Sequence, residues 1–145
     1  MPNGEQRALD LLARVTHGRV ATSMRALPVL ACARHIVADG HVLLRMHRGH
    51  GYQHACAGHV VAYGADNLGT GEPGRPGTPG EQWSVQIVGA CAATEPTAAQ
   101  LARFGPAPRT MDGEPFDPVY LRVTPEIVTV HTADDSLRRH FEHVL

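Results

Sequence analysis

The pair Asp39-Gly40 constrains this chain more than any other local feature. Both residues tolerate the positive φ of a tight primed turn, and they stand between two apolar-rich runs, residues 27–37 and 41–46, so the pair predicts a β-hairpin. Residues 19–24 form an earlier β-leaning run, set off by Arg25-Ala26. Residues 59–66, 82–94 and 119–131 read as further strands, the last with Pro125 marking an edge or a bulge in its middle. Six short strands in 145 residues point to a barrel.

Helical signals flank and interrupt these strands. Residues 5–15 place Ala8, Leu11, Leu12 and Val15 at helical spacing behind Asn3, a candidate cap, with Gly18 near the end. Residues 48–57 read as a loop and short helix, and residues 96–104, Pro-first and rich in Ala and Leu, as a second longer helix. Residues 105–118 read as irregular. In the tail, residues 133–145, Leu137, Phe141 and Leu145 recur at fourfold spacing behind Asp134-Asp135, predicting a terminal helix. The Gly/Pro-rich residues 67–81 bury almost nothing and read as an exposed hairpin loop. The expectation is one mainly β domain over residues 1–145, a six-stranded barrel with short covering helices.

Composition removes several functions. A formal net charge of −1 gives no electrostatic case for nucleic acid or anionic membrane. No apolar run approaches the ~18 residues of a membrane span, and the first residues lack the apolar stretch of a signal peptide. Cys32, Cys56 and Cys91 lie far apart with no CxxC pair, which fits a reducing, cytoplasmic compartment. GxSxG, Walker and Rossmann patterns are missing, as is a separated pair of catalytic carboxylates, so hydrolase and nucleotidase readings fall away. No catalytic residue is assigned.

Ten histidines are many for this length, and His47, His50, His54 and His59 crowd one region. On a continuous helix His50 and His54 would share a face at i,i+4, the spacing by which two imidazoles hold zinc. The Glu of an HExxH motif is missing, so non-ligand histidines are the preferred reading and no metal ligand is assigned; a metal or haem protein is the alternative.

The order Gly18-Arg19-Val20, Leu27-Pro28-Val29-Leu30, Ala33-Arg34-His35-Ile36-Val37, Asp39-Gly40, Val42-Leu43-Leu44-Arg45, Gly49, Val60-Val61-Ala62-Tyr63, Trp83-Ser84-Val85, Val88-Gly89 and Leu121-Arg122-Val123-Thr124-Pro125-Glu126 resembles the pyridoxamine 5'-phosphate oxidase-like FMN-binding split-barrel family. The resemblance runs from about Leu9 to Thr129. It implies a homodimer with FMN in clefts between two barrels, acting as an oxidoreductase on a small organic substrate, with an F420-type deazaflavin or no cofactor as alternatives. A phosphate needs cationic or N–H donors, and a flat ring system needs an apolar slot with a few polar groups.

Carried over by position, Ala31, Cys32, Ala33, Arg34 and His35 border the ring, Arg45, Met46, His47, Arg48 and His50 lie at the phosphate side, and Trp83 closes the site. Met46 stands where the family has threonine, and Gly51 where it has lysine, removing a hydroxyl and a charge. Arg48 is either the replacement cation or a solvated loop charge, Cys32 a cofactor contact or core filler, and Trp83 a stacking platform or core. A split barrel that has lost flavin and serves as a binding or accessory protein is therefore a second implication.

Overall fold

The computed structural model describes residues 4–69 and 82–133. In chain order these form α1 (Gly4–Leu12), β1 (His17–Met24), β2 (Leu27–Ala38), β3 (His41–His47), a 3-10 turn (Arg48–His50), α2 (Tyr52–Cys56), β4 (Val60–Asp66), β5 (Gln82–Ala93), α3 (Ala98–Phe104), β6 (Thr110–Met111), β7 (Glu114–Pro115) and β8 (Pro118–Ala133). Six strands close a barrel in the order β1-β2-β3-β8-β5-β4, every neighbouring pair antiparallel. The ring closes only in part of its height: β2 before Arg34 pairs with β1 alone, and β8 after Val123 pairs with β5 alone. The fold is the expected split-barrel type.

Strand alternation sets the inside and the outside. Inner positions such as Val20, Ala33, Val42, Leu44, Tyr63, Val85, Ile87 and Leu121 form one buried core. Helix α1 joins it through Ala8, Leu9, Leu11 and Leu12, a burial on the order of 5 kcal/mol by apolar area. Outside, α3 lies across β2, β3 and β8, where Phe104 packs with Ile36, Ala38, Leu43 and Tyr120. Thr97 and Gln100 start α3 with a reciprocal capping box, so Pro96 precedes the cap instead of opening the helix.

Three hairpin turns share one geometry, with both central residues at positive φ: Arg25-Ala26, Asp39-Gly40 and Asp112-Gly113. The first holds two residues with a Cβ in this region, at a cost of roughly 1–2 kcal/mol each. The third was hidden in residues 105–118, which read as irregular; they carry the β6–β7 hairpin. Its flanks lack the alternating apolar residues that made Asp39-Gly40 conspicuous. At Pro125 β8 pairs with β5 alone, its pairing with β3 ending at Val123, and the register with β5 shifts between Val88 and Gly89, so the position is a bulge on the β5 side and unpaired on the β3 side. Gly89 permits it, since a Cβ there would overlap the Thr124 carbonyl.

One expectation changes at the margin. Asn67, read as exposed loop, is buried and accepts the Trp83 backbone N–H at 2.9 Å. Most of the 67–81 loop and the tail helix lie outside the described residues. Among the described residues, no helix is long and apolar enough to cross a membrane.

Candidate functional site

On the outer face of β2 and β3 the register stacks three bands. Ile36 opposite Leu43 lies under α3, Arg34 opposite Arg45 comes next, and Cys32 and His47 follow. The third band opens into a cavity of about 430 Å³, a volume of the order that holds one drug-sized molecule. Leu30 through Arg34 and Arg45 through His47 form its floor, His50 and Tyr52 one wall, and Pro108, Met111, Asp112 and Phe116 the side closed by the β6–β7 hairpin.

The arginines define its electrostatics. Arg45 is buried and donates to the carbonyls of Gly105 and Pro106 at 2.9 and 3.4 Å. Arg34 donates to the carbonyls of Thr16, His35 and Arg103. Both guanidiniums sit against the Phe104 ring, 5.8 and 5.4 Å from its centroid. Neither forms an ion pair with a carboxylate among the described residues. His17, opposite Arg34 on β1, has its pKa lowered by burial and then by the charges of Arg34 and Arg45. Among the described residues, this wall carries positive charge with no carboxylate paired to it.

The hairpin is held to the barrel by the next histidines. His50 Nε2 meets Asp112 Oδ2 at 2.8 Å, and His47 Nε2 lies 3.8 Å from Glu114 Oε2. The Asp117 backbone N–H donates to His47 Nδ1 at 3.1 Å, and Phe116 stacks on the His47 ring. A neutral His47 with its proton on Nε2 satisfies both neighbours.

The structure therefore brings Ala31, Cys32, Ala33, Arg34, Arg45, Met46, His47 and His50 to one cavity, and three candidates elsewhere. His35 points into the barrel, 1% exposed, where Nε2 donates to the Leu12 carbonyl at 2.8 Å and Nδ1 accepts from the Tyr63 hydroxyl. Burial depresses its pKa to about 4. Trp83 is 2% exposed in the core, so it is filler there and not a platform at this cavity. Arg48 turns outward to Asp117 Oδ2 at 3.4 Å and to the Pro118 carbonyl. Ala31, Ala33 and Met46 give the core their side chains and the cavity floor only their strand surface.

Cys32 reverses the other way: it is exposed on the outer face instead of filling the core. Gly51, at φ +77 between the 3-10 turn and α2, occupies a left-handed conformation that disfavours a lysine. That kink also takes His50 and His54 off one continuous helix, and among the described residues no three His, Cys, Asp or Glu side chains converge as a metal site requires. His17, Leu30, Tyr52, Met111 and Phe116 were not foreseen. The second Asp-Gly pair was the available signal for the hairpin that carries two of them.

Residues 4–137 match the family model described as pyridoxamine 5'-phosphate oxidase. An uncharacterized protein of Mycobacterium tuberculosis is 36% identical over 128 residues, covering 84% of this chain and 78% of its own. Among solved structures, the FAD binding protein from Mycobacterium smegmatis superposes with a TM-score of 0.64 at 22% identity, over 88% of this chain and 94% of that one. A heme binding protein from Mycobacterium smegmatis gives 0.56 at 12% identity, over 94% of this chain and 60% of that one. These two likenesses show the fold.

Proposed function

The chain belongs to the pyridoxamine 5'-phosphate oxidase family, and from that premise we propose that it binds a flavin on the outer face of β2 and β3 as an oxidoreductase for a small organic molecule. The observation that carries this reading is the Arg34–Arg45 pair, fixed by carbonyls and an aromatic ring and, among the described residues, without a carboxylate partner. A guanidinium presents several N–H groups in a fixed fork, and a phosphate supplies the matching acceptors. Tyr52, Met111 and Phe116 give the same cavity the apolar surface that a flat ring system needs. The residues fit the flavin mononucleotide moiety.

When bound, a flavin supplies hydride and electron transfer. The chain's own part is to anchor the phosphate at Arg34 and Arg45, with His17 adding charge when protonated, and to exclude water with the β6–β7 hairpin. His50 commits Nε2 to Asp112, so Nδ1 is the nitrogen it has for a proton exchanged with a ligand. Cys32 is part of the cavity floor as an exposed thiol.

The proposal includes a homodimer. An outer row of Leu30, Ala21, Ala62, Val88 and Ile127 runs in register across β2, β1, β4, β5 and β8, with Leu30 and Ile127 each 63% exposed. A contiguous outward apolar row, half-buried at Ala21, Ala62 and Val88 and exposed at its two ends, favours burial against a second copy by twofold symmetry.

A second reading, a barrel that has lost flavin, is favoured by Arg48, whose guanidinium goes to Asp117 and not to the cavity. Absorption spectra of the purified protein, as isolated and after adding flavin and desalting, separate the two. Flavin bands that survive desalting support the first reading, featureless spectra in both samples overturn it, and a Soret band transfers the site to haem.

A further inference from the structure

We propose that a second cavity, formed by the β1–β2 turn and α2, binds the carboxylate end of a small organic acid. This cavity, about 620 Å³, shares His50 with the first. That the acid is the molecule the flavin acts on rests on the flavin reading of the first cavity; that it binds does not.

Two elements tied together set the walls. Thr22 Oγ1 donates to the Ala55 carbonyl at 2.9 Å, which holds the end of β1 against α2. The β1–β2 turn contributes Met24, Arg25 and Leu27, α2 contributes His54 and Ala55, and His59 comes just before β4.

Charge decides what this cavity takes. Among the described residues, the side chains of Arg25, His54 and His59 have neither a hydrogen-bond nor an ion-pair partner, and no Asp or Glu lines the cavity. A guanidinium fork matches the two oxygens of a carboxylate, and an imidazole offers an N–H in either protonation state. One fixed positive charge suits a monoanion, whereas the two arginines of the first cavity suit a phosphate. Met24, Leu27 and Ala55 give the body of the acid an apolar surface, and Leu27, 67% exposed, is stabilised by being covered.

Backbone strain singles out Arg25. It stands at φ 52 and Ala26 follows at φ 65, a turn geometry that favours Asn, Asp or Gly over other residues with a Cβ. Stability alone would place one of those residues there, and strain of this kind persists where a site uses the side chain.

The experiment follows backbone amide NMR shifts while flavin-free protein is titrated with acetate, isovalerate and phenylacetate, and with phenylacetamide as the uncharged match. It is run on the wild type, Arg25→Asn and His54→Leu. Expected are saturating shifts at residues 23–27, 51–55 and 59, affinity that rises from acetate to phenylacetate, and phenylacetamide about tenfold or more weaker than phenylacetate. Asparagine tolerates the left-handed backbone, so Arg25→Asn should unfold at no lower a temperature than the wild type while its phenylacetate affinity falls about tenfold. A residue that only shaped the turn would move stability and leave affinity alone. Wild type without saturating shifts at these residues, phenylacetamide that binds as well as phenylacetate, or Arg25→Asn with unchanged affinity each overturns the proposal. Should Arg25→Asn fold poorly, His54→Leu decides: a fall in phenylacetate affinity supports the proposal, and an unchanged affinity overturns it. The flavin is tested apart. In flavin-loaded protein phenylacetate should shift the flavin absorption bands; acid that binds without moving them, or a protein that binds no flavin, overturns the substrate role and leaves the acid site standing.

Discussion

Inside the barrel β2 presents Ala31, Ala33 and His35, and outside it presents Leu30, Cys32 and Arg34. The inner polar group is fully engaged: both nitrogens of His35 have partners, one tying β2 to α1 at Leu12, the other to β4 at Tyr63. The outer one, Arg34, is held by carbonyls, and among the described residues no carboxylate matches its charge. One strand thus uses the same class of residue for opposite ends, because a buried dipole must be satisfied for the fold to form while a charge at a cavity wall can await its counter-ion. Changes to the inner set should read out in stability, and changes to the outer set in binding.

The largest expected effect tests the inner half. His35→Ala leaves the Leu12 carbonyl without its side-chain donor, removes the Tyr63 partner and opens a cavity, for a loss of about 4 kcal/mol in urea unfolding at pH 7. A loss under about 1 kcal/mol breaks the comparison.

Acid sharpens it. The folded-state pKa of His35 is depressed to about 4 from an ordinary 6.5, so between those values the unfolded chain binds the extra proton. The contribution is fully present above pH 6.5 and is lost as pH falls towards 4, about 3 kcal/mol in all. Unfolding midpoints measured at intervals from pH 7 to pH 4 read the slope, which should flatten by that amount in His35→Gln. An equal slope in both proteins assigns the acid sensitivity to other groups.

For the outer half, Arg45→Met removes the guanidinium and keeps much of the apolar stem against Phe104. Flavin affinity should fall about 10- to 100-fold, the loss of one charge-assisted contact, with stability lowered by about 1–2 kcal/mol as the Gly105 and Pro106 carbonyls lose their donor. Affinity that survives the change moves the anion site away from β3. The smallest effect is at Cys32→Ser, under about 0.5 kcal/mol by thermal unfolding, since the thiol is exposed. A large cost would mean that this outer position is covered in solution, as a dimer through Leu30 and its row would do.

Much of the barrel was legible because its signals are local. Asp39-Gly40 announces a primed turn wherever it occurs, the apolar runs around it set the strands, and Pro125 marks the bulge beside Gly89. The site was legible only as a stretch. Residues 31–35 and 45–50 were singled out together, whereas a strand sends alternate side chains to opposite faces, so His35 went to the core and Cys32 to the cavity.

The sequence by itself determined the six barrel strands, the Asp39-Gly40 turn and the family, since each follows from neighbouring residues or their order. Tertiary structure alone decided which candidates meet. It placed Arg34 opposite Arg45 through the β2–β3 register, turned Arg48 to Asp117, put Trp83 in the core, and folded the Asp112-Gly113 hairpin over a cavity that begins 80 residues earlier at Leu30 and Ala31. The physical reason is that barrel closure fixes which face each strand turns inward and which distant segments lie side by side. Neither is a property of any short run of residues.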